Sequence, residues 1–464
     1  MGGRFDVIVI GAGAVGENAA GYAAGHGLST AVIERELVGG ECSYWACMPS
    51  KALLRPGDVL AEARRVPAAA GAVTGTVDVD AAFKSRDAFV SGWDDKYQVA
   101  WLESVDVTLI RGTGRLAGTR RVDVELADGS HQTLEAVHAV VLATGSRASS
   151  PPVDGLADVG AWDNRDITGT HRVPERLPVL GGGAVGVEMA QAFRRLGARE
   201  VTIVEMLDRL LPGEEPFAGE QLRRAVEAEG IVVHTGTLAT GAARRDSGEV
   251  VLTLKDGREL VGDELLVATG RRPATEDLGL ETVGLEPGRP VAVDDRLRAK
   301  GVDGGWLYAV GDVNGRALLT HQGKYQGRIA ADVIGGRDIT AWADQHAVPR
   351  VVFTDPQVAA VGRTERQARD AGIDVSVLTY KLGDTAAGAL HGKDTVGTAQ
   401  LIVDASERTI VGATFTGPNA AELLHAATVA IAGHVTLDQL WHAVPAFPTL
   451  SEVWLRLLEA KRSS

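Results

Sequence analysis

The feature that most constrains the fold is a glycine pattern that occurs twice, each time between a short apolar strand and a helix. FDVIVI leads into GAGAVG at residues 11–16, and LPVL leads into GGGAVG at residues 181–186. In each copy an acid follows about 20 residues later, Glu34 in the first and Glu205 in the second. Nearly continuous apolar strands are typical of buried parallel sheets. The repeat therefore predicts two Rossmann-like βαβ units, each with a dinucleotide site.

The glycines of each copy have three expected tasks: a tight turn, close approach of the backbone to a pyrophosphate, and helix–strand packing. In that order they are Gly11, Gly13 and Gly16 in the first copy, and Gly181, Gly183 and Gly186 in the second. The N-terminus of the following helix offers N–H groups and a positive dipole to the phosphates. Glu34 and Glu205 stand where a carboxylate hydrogen-bonds a ribose. A carboxylate repels a 2′-phosphate, so Glu205 predicts NADH rather than NADPH.

Composition narrows the partners and the setting. The 464 residues carry 47 Lys and Arg against 61 Asp and Glu, a net charge of −14. This charge disfavours nucleic acid and anionic membranes as main partners. No apolar run approaches the roughly 20 residues that span a bilayer, and the chain enters a strand almost at once, so we expect no membrane segment and no signal peptide. Two cysteines cannot form a disulfide framework in a chain of this size, which favours a cytoplasmic protein.

The rest of the chain predicts further strands and a third domain. AVVLATGSR and ELLVATGRR each combine a strand with a tight turn, and WLYAVGDV is a strand that ends in Gly-Asp. From residue 349 the pattern changes to alternating strands and helices without a glycine fingerprint, which indicates a separate α+β domain. The predicted fold class is α/β, with two Rossmann-like domains and a C-terminal α+β domain.

Both cysteines lie in GGECSYWACMPSK at residues 39–51, as Cys42 and Cys47. Residues five apart on a regular helix point about 140° apart, so a disulfide would need an irregular turn, which Pro49 suits. Half of a metal site would need distant histidines as further ligands, and we expect no metal. Two ordinary core cysteines remain an alternative. A redox-active pair is favoured because the pair follows directly on the first dinucleotide unit.

Taken together, these motifs resemble the flavoprotein pyridine-nucleotide–disulfide oxidoreductases, and are closest to the dihydrolipoamide dehydrogenase type. The resemblance covers nearly the whole chain. The motifs that carry it are GAGAVG, GGECSYWACMPSK, the two ATG turns, GGGAVGVE, YAVGDV, FTDPQVAAVG and FPTLSE.

The resemblance implies FAD at the first glycine pattern and NAD(H) at the second. Glu34 would then bind the adenosine ribose of FAD, and Asp312 of YAVGDV would bind its ribityl chain. Further cofactor contacts are expected from Gly145, Gly270, Arg271 and Lys51.

The resemblance also implies the catalytic residues. Cys47 would contact the flavin as the charge-transfer thiolate, and Cys42 would be the interchange thiol that faces the acceptor. Lys51 would lie near flavin N5 and pair with Glu188. Electrons would pass from NADH to FAD, then to the Cys42–Cys47 disulfide, and then to the acceptor.

The resemblance implies a homodimer, in which the C-terminus of one protomer completes the active site of its partner. The predicted ranges are 1–150 and 271–348 for the two parts of the FAD-binding domain, 151–270 for the NAD-binding domain and 349–464 for the dimerisation domain.

The chain departs from the family pattern at the acceptor side. The family has a His before Pro-Thr and a Glu five residues after it; here Glu452 is present, but Phe447 takes the place of the His. Losing a positioned acid or base typically costs about 10²–10⁴ in rate. Tyr44, Trp45 and Phe447 add rings that could stack on a flat acceptor such as a quinone. The same rings could instead pack a dimer interface.

Several functions therefore remain open. The first is an NADH-dependent disulfide oxidoreductase. The alternative is an NADH:quinone reductase, or a reductase of another small acceptor, in which the disulfide is not essential. A mercuric-type metal-ion reductase is less favoured because LRLLEAKRSS, the C-terminal sequence, has no cysteine pair. A purely structural role inside a larger complex would leave both intact fingerprints without a purpose.

Overall fold

The computed structural model describes residues 3–392 and 395–463. These residues form two compact units, each assembled from separate stretches of the chain. Unit 1 contains the chain up to Pro49, Asp87–Ser149 and Arg271–Asp344, and unit 2 contains Ser50–Arg86, Ser150–Gly270 and the chain from Gln345 onward. The ranges predicted for the domains stay predictions.

The described residues contain strands of two to twelve residues. In chain order they are β1 Arg4–Ile10, β2 Thr30–Glu34, β3 Val107–Leu116, β4 Arg121–Leu126, β5 His131–Leu142, β6 Ser146–Ala148, β7 Arg176–Leu180, β8 Glu200–Val204, β9 Val232–His234, β10 Ala239–Arg244, β11 Val250–Leu254, β12 Glu259–Gly262, β13 Leu266–Val267, β14 Arg271–Pro273, β15 Leu307–Ala309, β16 Pro349–Val352, β17 Gln357–Gly362, β18 Val375–Lys381, β19 Thr398–Asp404 and β20 Thr409–Gly417.

The α-helices range from one turn to five. In chain order they are α1 Ala14–Gly25, α2 Gly40–Tyr44, α3 Cys47–Arg65, α4 Pro67–Ala70, α5 Val79–Phe89, α6 Lys96–Ser104, α7 Asn164–Gly169, α8 Ala184–Arg195, α9 Pro216–Ala228, α10 Thr320–Ile334, α11 Ala343–His346, α12 Glu365–Asp370, α13 Ala386–Leu390, α14 Ala420–Ala432, α15 Leu437–Leu440 and α16 Glu452–Ser463.

Unit 1 is built on one sheet with a parallel core. Its parallel strands run in the order β3-β2-β1-β5-β15, and β4 pairs antiparallel with both β3 and β5. β1 is apolar and buried from Val7 to Ile10, as the sequence predicts for a central strand. Helices α1 and α10 pack together beside this sheet. The carboxyl ends of β1, β5 and β15 therefore meet at one edge, where α/β sheets bind ligands.

The described residues of unit 2 form three sheets. The parallel sheet has the order β13-β7-β8-β9, with α8 packed against β8. A small antiparallel sheet is formed by β10-β11-β12, and β16-β17-β20-β19-β18 make an antiparallel sheet covered by α14 and α16. The two Rossmann-like units and the C-terminal α+β region predicted from the sequence are thus confirmed.

Helix boundaries around the cysteines depart from a regular helix. α2 ends at Tyr44, Trp45 has the non-helical angles φ −138° and ψ 5°, and a new helix begins at Cys47. The irregular turn that the five-residue spacing required is therefore present. In the described part of the chain, no helix is long and apolar enough to cross a membrane.

Candidate functional site

The first glycine pattern forms a cradle at the N-terminus of α1. Gly11 has φ +96°, and a Cβ added to Gly16 would lie 1.8 Å from the carbonyl oxygen of Gly11. Gly13 precedes the first residue of α1, and a Cβ on Gly40 would approach its Cα to 2.7 Å. Only glycine fits at these close backbone approaches. The segment that carries the cysteines therefore packs directly on the cradle.

Glu34 closes this cradle from the end of β2. Its carboxylate accepts the N–H of Ala12 at 2.7 Å and the N–H of Glu36 at 2.8 Å. Burial raises the pKa of Glu34, although these backbone donors oppose the rise. A carboxylate held beside a helix N-terminus and three close-packed glycines fits the ribose and pyrophosphate of a dinucleotide.

The second pattern repeats this geometry in unit 2. Gly181 has φ +113°, and a Cβ added to Gly186 would lie 2.0 Å from the carbonyl oxygen of Gly181. The carboxylate of Glu205 accepts the N–H of Gly182 at 2.6 Å and that of Leu207 at 2.7 Å. Glu205 is buried, and these two hydrogen bonds hold its carboxylate at the glycine turn. The residues present therefore fit a second dinucleotide.

Cys42 and Cys47 are not joined in a disulfide, and they lie on either side of the turn between α2 and α3. A hydrogen bond with Cys47 raises the pKa of the Cys42 thiol, and burial raises it further. The hydroxyl of Thr320 and the charge of Lys324 oppose this rise. Thr320 Oγ1 also lies 3.3 Å from Cys47 Sγ. The structure therefore brings both cysteines to the first turn of α10.

The residue that follows the first ATG turn contacts Asp312 within unit 1. Gly145 has φ +71°, and the next residue, Ser146, donates its hydroxyl to the carboxylate of Asp312. Pairing of β6 with β14 places Arg271 beside Ser146, and Arg271 Nε donates to Ser146 Oγ at 2.7 Å. Arg271 also reaches Glu41 at 3.4 Å. Burial raises the pKa of Asp312, which lies in the short turn that follows β15. Three of the predicted cofactor contacts are thus neighbours.

Lys51 and Glu188 form an ion pair in unit 2. Lys51 Nζ lies 2.8 Å from Glu188 Oε2, and the Lys51 ammonium lies 4.8 Å from the centre of the Phe353 ring. The predicted pairing of these two residues is present in the structure. The role of Lys51 beside a flavin stays a prediction, as does the contact of Gly270, which has φ +122° and precedes β14.

The C-terminal segment shows how Glu452 is held. Its carboxylate accepts from Arg456, at 2.6 Å for Nη2, and from the N–H of Ala386 at 3.3 Å. Glu452 is buried, whereas Phe447 is 73% exposed. The catalytic role of Glu452 stays a prediction.

The interpretation of Tyr44 as part of an aromatic surface for the acceptor is wrong. The Tyr44 side chain is 1% exposed, because α2 turns it inward. A ring inside the core cannot stack on an external acceptor.

Sequence reasoning did not single out four residues: Ser146 beside Asp312, Thr320 and Lys324, which act on the cysteines, and Glu17 beside Lys324. Ser146 follows a quoted ATG turn, and its position there was an available signal. The other three belong to no local motif. Within residues 3–392 and 395–463, no group of three or more His, Cys, Asp or Glu side chains could hold a metal ion.

Comparisons with known proteins agree with this geometry. Residues 5–327 match the family model of pyridine nucleotide-disulphide oxidoreductases, and residues 348–457 match the model of their dimerisation domain. A dihydrolipoyl dehydrogenase of Haloferax volcanii is 34% identical, over 98% of this chain and 95% of the relative. A mercuric reductase of Streptomyces lividans is 35% identical, over 94% of this chain and 93% of the relative.

A solved structure extends the likeness to the fold. LpdA from Mycobacterium tuberculosis superposes with a TM-score of 0.86 at 27% identity, covering 99% of both chains. Because both family models match and relatives align along nearly the whole length, this chain belongs to the pyridine nucleotide-disulphide oxidoreductases and is an FAD- and NAD-dependent enzyme.

Proposed function

We propose that the enzyme passes electrons between NADH and a small disulfide or dithiol through FAD and the Cys42–Cys47 pair, as a dihydrolipoyl dehydrogenase-like oxidoreductase. The observation that carries this proposal is the pair of mutually hydrogen-bonded thiols in the unit that contains the first dinucleotide cradle. Curated relatives of matching length are named dihydrolipoyl dehydrogenase, which supports the same substrate class.

The residues of unit 1 would hold FAD. Gly11, Gly13 and Gly16 leave room for the pyrophosphate, and Glu34 would bind the ribose. Asp312 would bind the ribityl chain, in an orientation maintained by Ser146 and Arg271. When bound, FAD supplies a hydride acceptor and a two-electron reductant, chemistry that side chains lack.

The residues of unit 2 would select and orient the nicotinamide cofactor. The second cradle, with Gly181, Gly183 and Gly186, would receive its pyrophosphate. The buried carboxylate of Glu205 would bind the ribose diol and repel a 2′-phosphate. The proposed preference is therefore NADH over NADPH. Glu188 holds the Lys51 ammonium in place one turn after Cys47 along α3.

The thiols would carry the exchange with the acceptor. A Cys42 thiolate attacks one sulfur of the acceptor disulfide, the acceptor S–S bond breaks, and the departing sulfur takes up a proton. Cys47 then attacks Cys42, which closes the enzyme disulfide and releases the second acceptor thiol after another protonation. In the reverse direction a dithiol substrate gives up two protons and two electrons. The thiolate is the attacking species in each step.

The dimerisation domain supports a homodimer. Residues 348–457 match that domain, and Val444 and Phe447 in it are 85% and 73% exposed. Exposed apolar side chains near one another are typical of interaction surfaces. We propose that a second copy covers them; sedimentation equilibrium would give the mass of a dimer. The low cysteine content further favours a cytoplasmic setting, in which the thiols can cycle.

Anaerobic stopped-flow spectroscopy tests the proposed electron route. The holoenzyme is reduced with NADH and mixed with either lipoamide or a benzoquinone, and flavin reoxidation is timed. Rapid reoxidation by lipoamide is expected in the wild type and should be lost in C42S. C47S should lose it as well, because Cys47 is needed to close the disulfide on Cys42. Rapid reoxidation by quinone alone, unchanged in C42S, would refute a cycling disulfide.

A further inference from the structure

Glu17 is a buried acid that the electron route does not use. It lies in the first turn of α1 and is 9% exposed. Its Oε1 is 3.9 Å from Lys324 Nζ on α10, a distance too long for a good hydrogen bond. Its Oε2 is buried, and no hydrogen-bond partner for it exists among the residues that the structure describes. A buried carboxylate left in this state costs free energy unless it is protonated or bridged by water.

A second buried oxygen without a partner lies in the same neighbourhood. The hydroxyl of Tyr44 finds no hydrogen-bond partner within the described part of the chain. Burial raises the pKa of Tyr44 most, and the negative charges of Asp95 and Glu17 raise it further. Glu17 of α1 and Tyr44 of α2 therefore form a cluster of electrostatically interacting groups, each with a buried oxygen that lacks a hydrogen-bond partner among the described residues, and Lys324 lies beside its Glu17 member. Such clusters are suited to a bridging water and to a proton.

Helix α10 links this cluster to the cysteines. Thr320 and Lys324 are four residues apart and share one face of the helix. The hydroxyl of Thr320 lies 3.3 Å from Cys47 Sγ. Lys324 has its charge near enough to Cys42 to lower the pKa of that thiol. The same ammonium therefore acts on Cys42 at one side and on Glu17 at the other.

The protonated and ionised forms of Glu17 are close to equally populated at neutral pH. Burial raises the pKa of Glu17 to about 7, and the positive charge of Lys324 opposes that rise. Lys324 faces it from α10 and Tyr44 from α2. Asp94, Asp95 and Arg111 act on Tyr44 in turn. Both protonation states of Glu17 are thus accessible at neutral pH.

We propose that Glu17 and Lys324 govern the protonation of Cys42 from within one protomer, with Glu17 taking up a proton as Cys42 becomes a thiolate. The exchange is Cys42–SH plus Glu17–COO⁻ to Cys42–S⁻ plus Glu17–COOH. No electron moves, and the net charge of the cluster is unchanged. The proposal rests on the proposed function, in which Cys42 alternates between thiol and thiolate. Glu17 acts through Lys324, so it is a positioning residue.

Glu17 and Lys324 would control the protonation of Cys42, which the Phe447 side chain cannot do. An aromatic hydrocarbon ring has no proton to exchange, and it is highly exposed. Glu17, Lys324 and Cys42 all belong to unit 1. The cluster would therefore operate without a side chain from the partner subunit.

Alkylation of Cys42 as a function of pH tests the proposal without any turnover. The holoenzyme is reduced with a phosphine under argon and treated briefly with iodoacetamide between about pH 5 and pH 10, where thiolate formation controls the rate. Peptide mass spectrometry then quantifies modified Cys42. In E17Q the Lys324 charge is no longer balanced, so the midpoint should fall by about 0.5–1 pH unit. In K324Q the cation is lost, and the midpoint should rise by about the same amount.

The control is E215Q, which removes another buried carboxylate with a raised pKa, in unit 2. Its Cys42 midpoint should match the wild type. Opposite shifts in E17Q and K324Q support the proposal, because general loosening of the fold would move both midpoints in one direction. Any other pattern overturns it.

Proton counting addresses the transfer itself. Reduction of the disulfide in weakly buffered solution near pH 7 should release up to about one more proton per protomer from E17Q than from the wild type, since Glu17 retains that proton. Equal release overturns the proton-holding role. Neither measurement uses an acceptor. Failure of lipoamide turnover would therefore count against the proposed function alone, whereas failure of the opposite shifts would count against Glu17 alone.

Discussion

Glu188 bonds to Lys51 and to the backbone at once: its Oε2 lies 2.8 Å from Lys51 Nζ, while its Oε1 accepts the N–H of Phe353 at 2.9 Å. Phe353 follows directly on β16, and its ring lies beside the same ammonium. One buried carboxylate of α8 therefore positions a lysine of α3 and anchors the end of a strand. Glu188 therefore has two roles: the contact with Lys51 is electrostatic, and the hydrogen bond from the Phe353 N–H is structural.

Substitutions at Glu188 should divide these roles. E188A leaves the Phe353 N–H without its acceptor and should lower the free energy of unfolding by about 1–3 kcal/mol. E188Q keeps an acceptor for that N–H and should cost less stability. Both variants release Lys51, so flavin reduction by NADH should slow by about tenfold or more. Urea titration and anaerobic stopped-flow measure the two effects. Equal destabilisation by both variants would contradict the backbone role.

The two glycine cradles should respond separately to an added methyl group. At Gly16 and Gly186 a Cβ would lie 1.8 Å and 2.0 Å from a carbonyl oxygen. The backbone must move to relieve such contacts, and the phosphate approach is lost. G16A should purify with little FAD, whereas G186A should stay yellow but bind NADH at least about tenfold more weakly. Flavin absorbance per protomer and NADH titration give the answer. G213A, also at a glycine of unit 2 but with open space around it and no positive φ, shows the cost of an alanine outside the cradles.

Charge at Glu205 should set the choice of nicotinamide cofactor. The buried carboxylate is held by two backbone donors, so it cannot turn away from a 2′-phosphate. E205Q removes the charge with little change in shape. The ratio of kcat/KM for NADPH to that for NADH should rise about tenfold, which corresponds to about 1.4 kcal/mol. An unchanged ratio would assign the cofactor preference to other residues.

Glu17 should make stability depend on pH. Its pKa is about 7 in the folded protein against the ordinary value of 4.5 for a solvated glutamate, so the folded state binds the proton more tightly. Its contribution to stability is therefore fully present below about pH 4.5 and is lost as the pH rises through 7. Relative to E17Q, the wild type should lose up to about 3 kcal/mol across this window. Melting temperatures of the two proteins, measured at intervals over that range, should converge or cross. Parallel curves would mean that folding does not change the pKa of Glu17.

Phe447 offers a gain-of-function experiment. Its side chain is 73% exposed, so F447H should change the free energy of unfolding by no more than about 0.5 kcal/mol. An imidazole there can carry a proton, and lipoamide turnover should rise by about tenfold, a fraction of what a fully positioned acid or base supplies. F447L is the matched control and should give no rise. A steady-state lipoamide assay over neutral pH distinguishes them. No gain in F447H would place proton transfer at another group.

The sequence by itself determined the two dinucleotide cradles, the strand that leads into each, and the irregular turn between the cysteines. These features depend on backbone conformation and short-range spacing: a glycine that must avoid a carbonyl oxygen, an acid at the end of the next strand, two cysteines too far apart for one regular helix. Glu34 and Glu205 occupy equivalent positions for this reason.

Only the tertiary structure decided what surrounds the thiols. Thr320 and Lys324 act on the cysteine pair, and Glu17 lies beside Lys324, because α1 and α10 pack together although they are far apart along the chain. It also decided that Tyr44 is core rather than surface, which its position between the cysteines did not indicate. Burial and long-range charge pairing depend on how helices pack on a sheet. No local pattern specifies that packing, since the same spacing can present a side chain to water or to the interior.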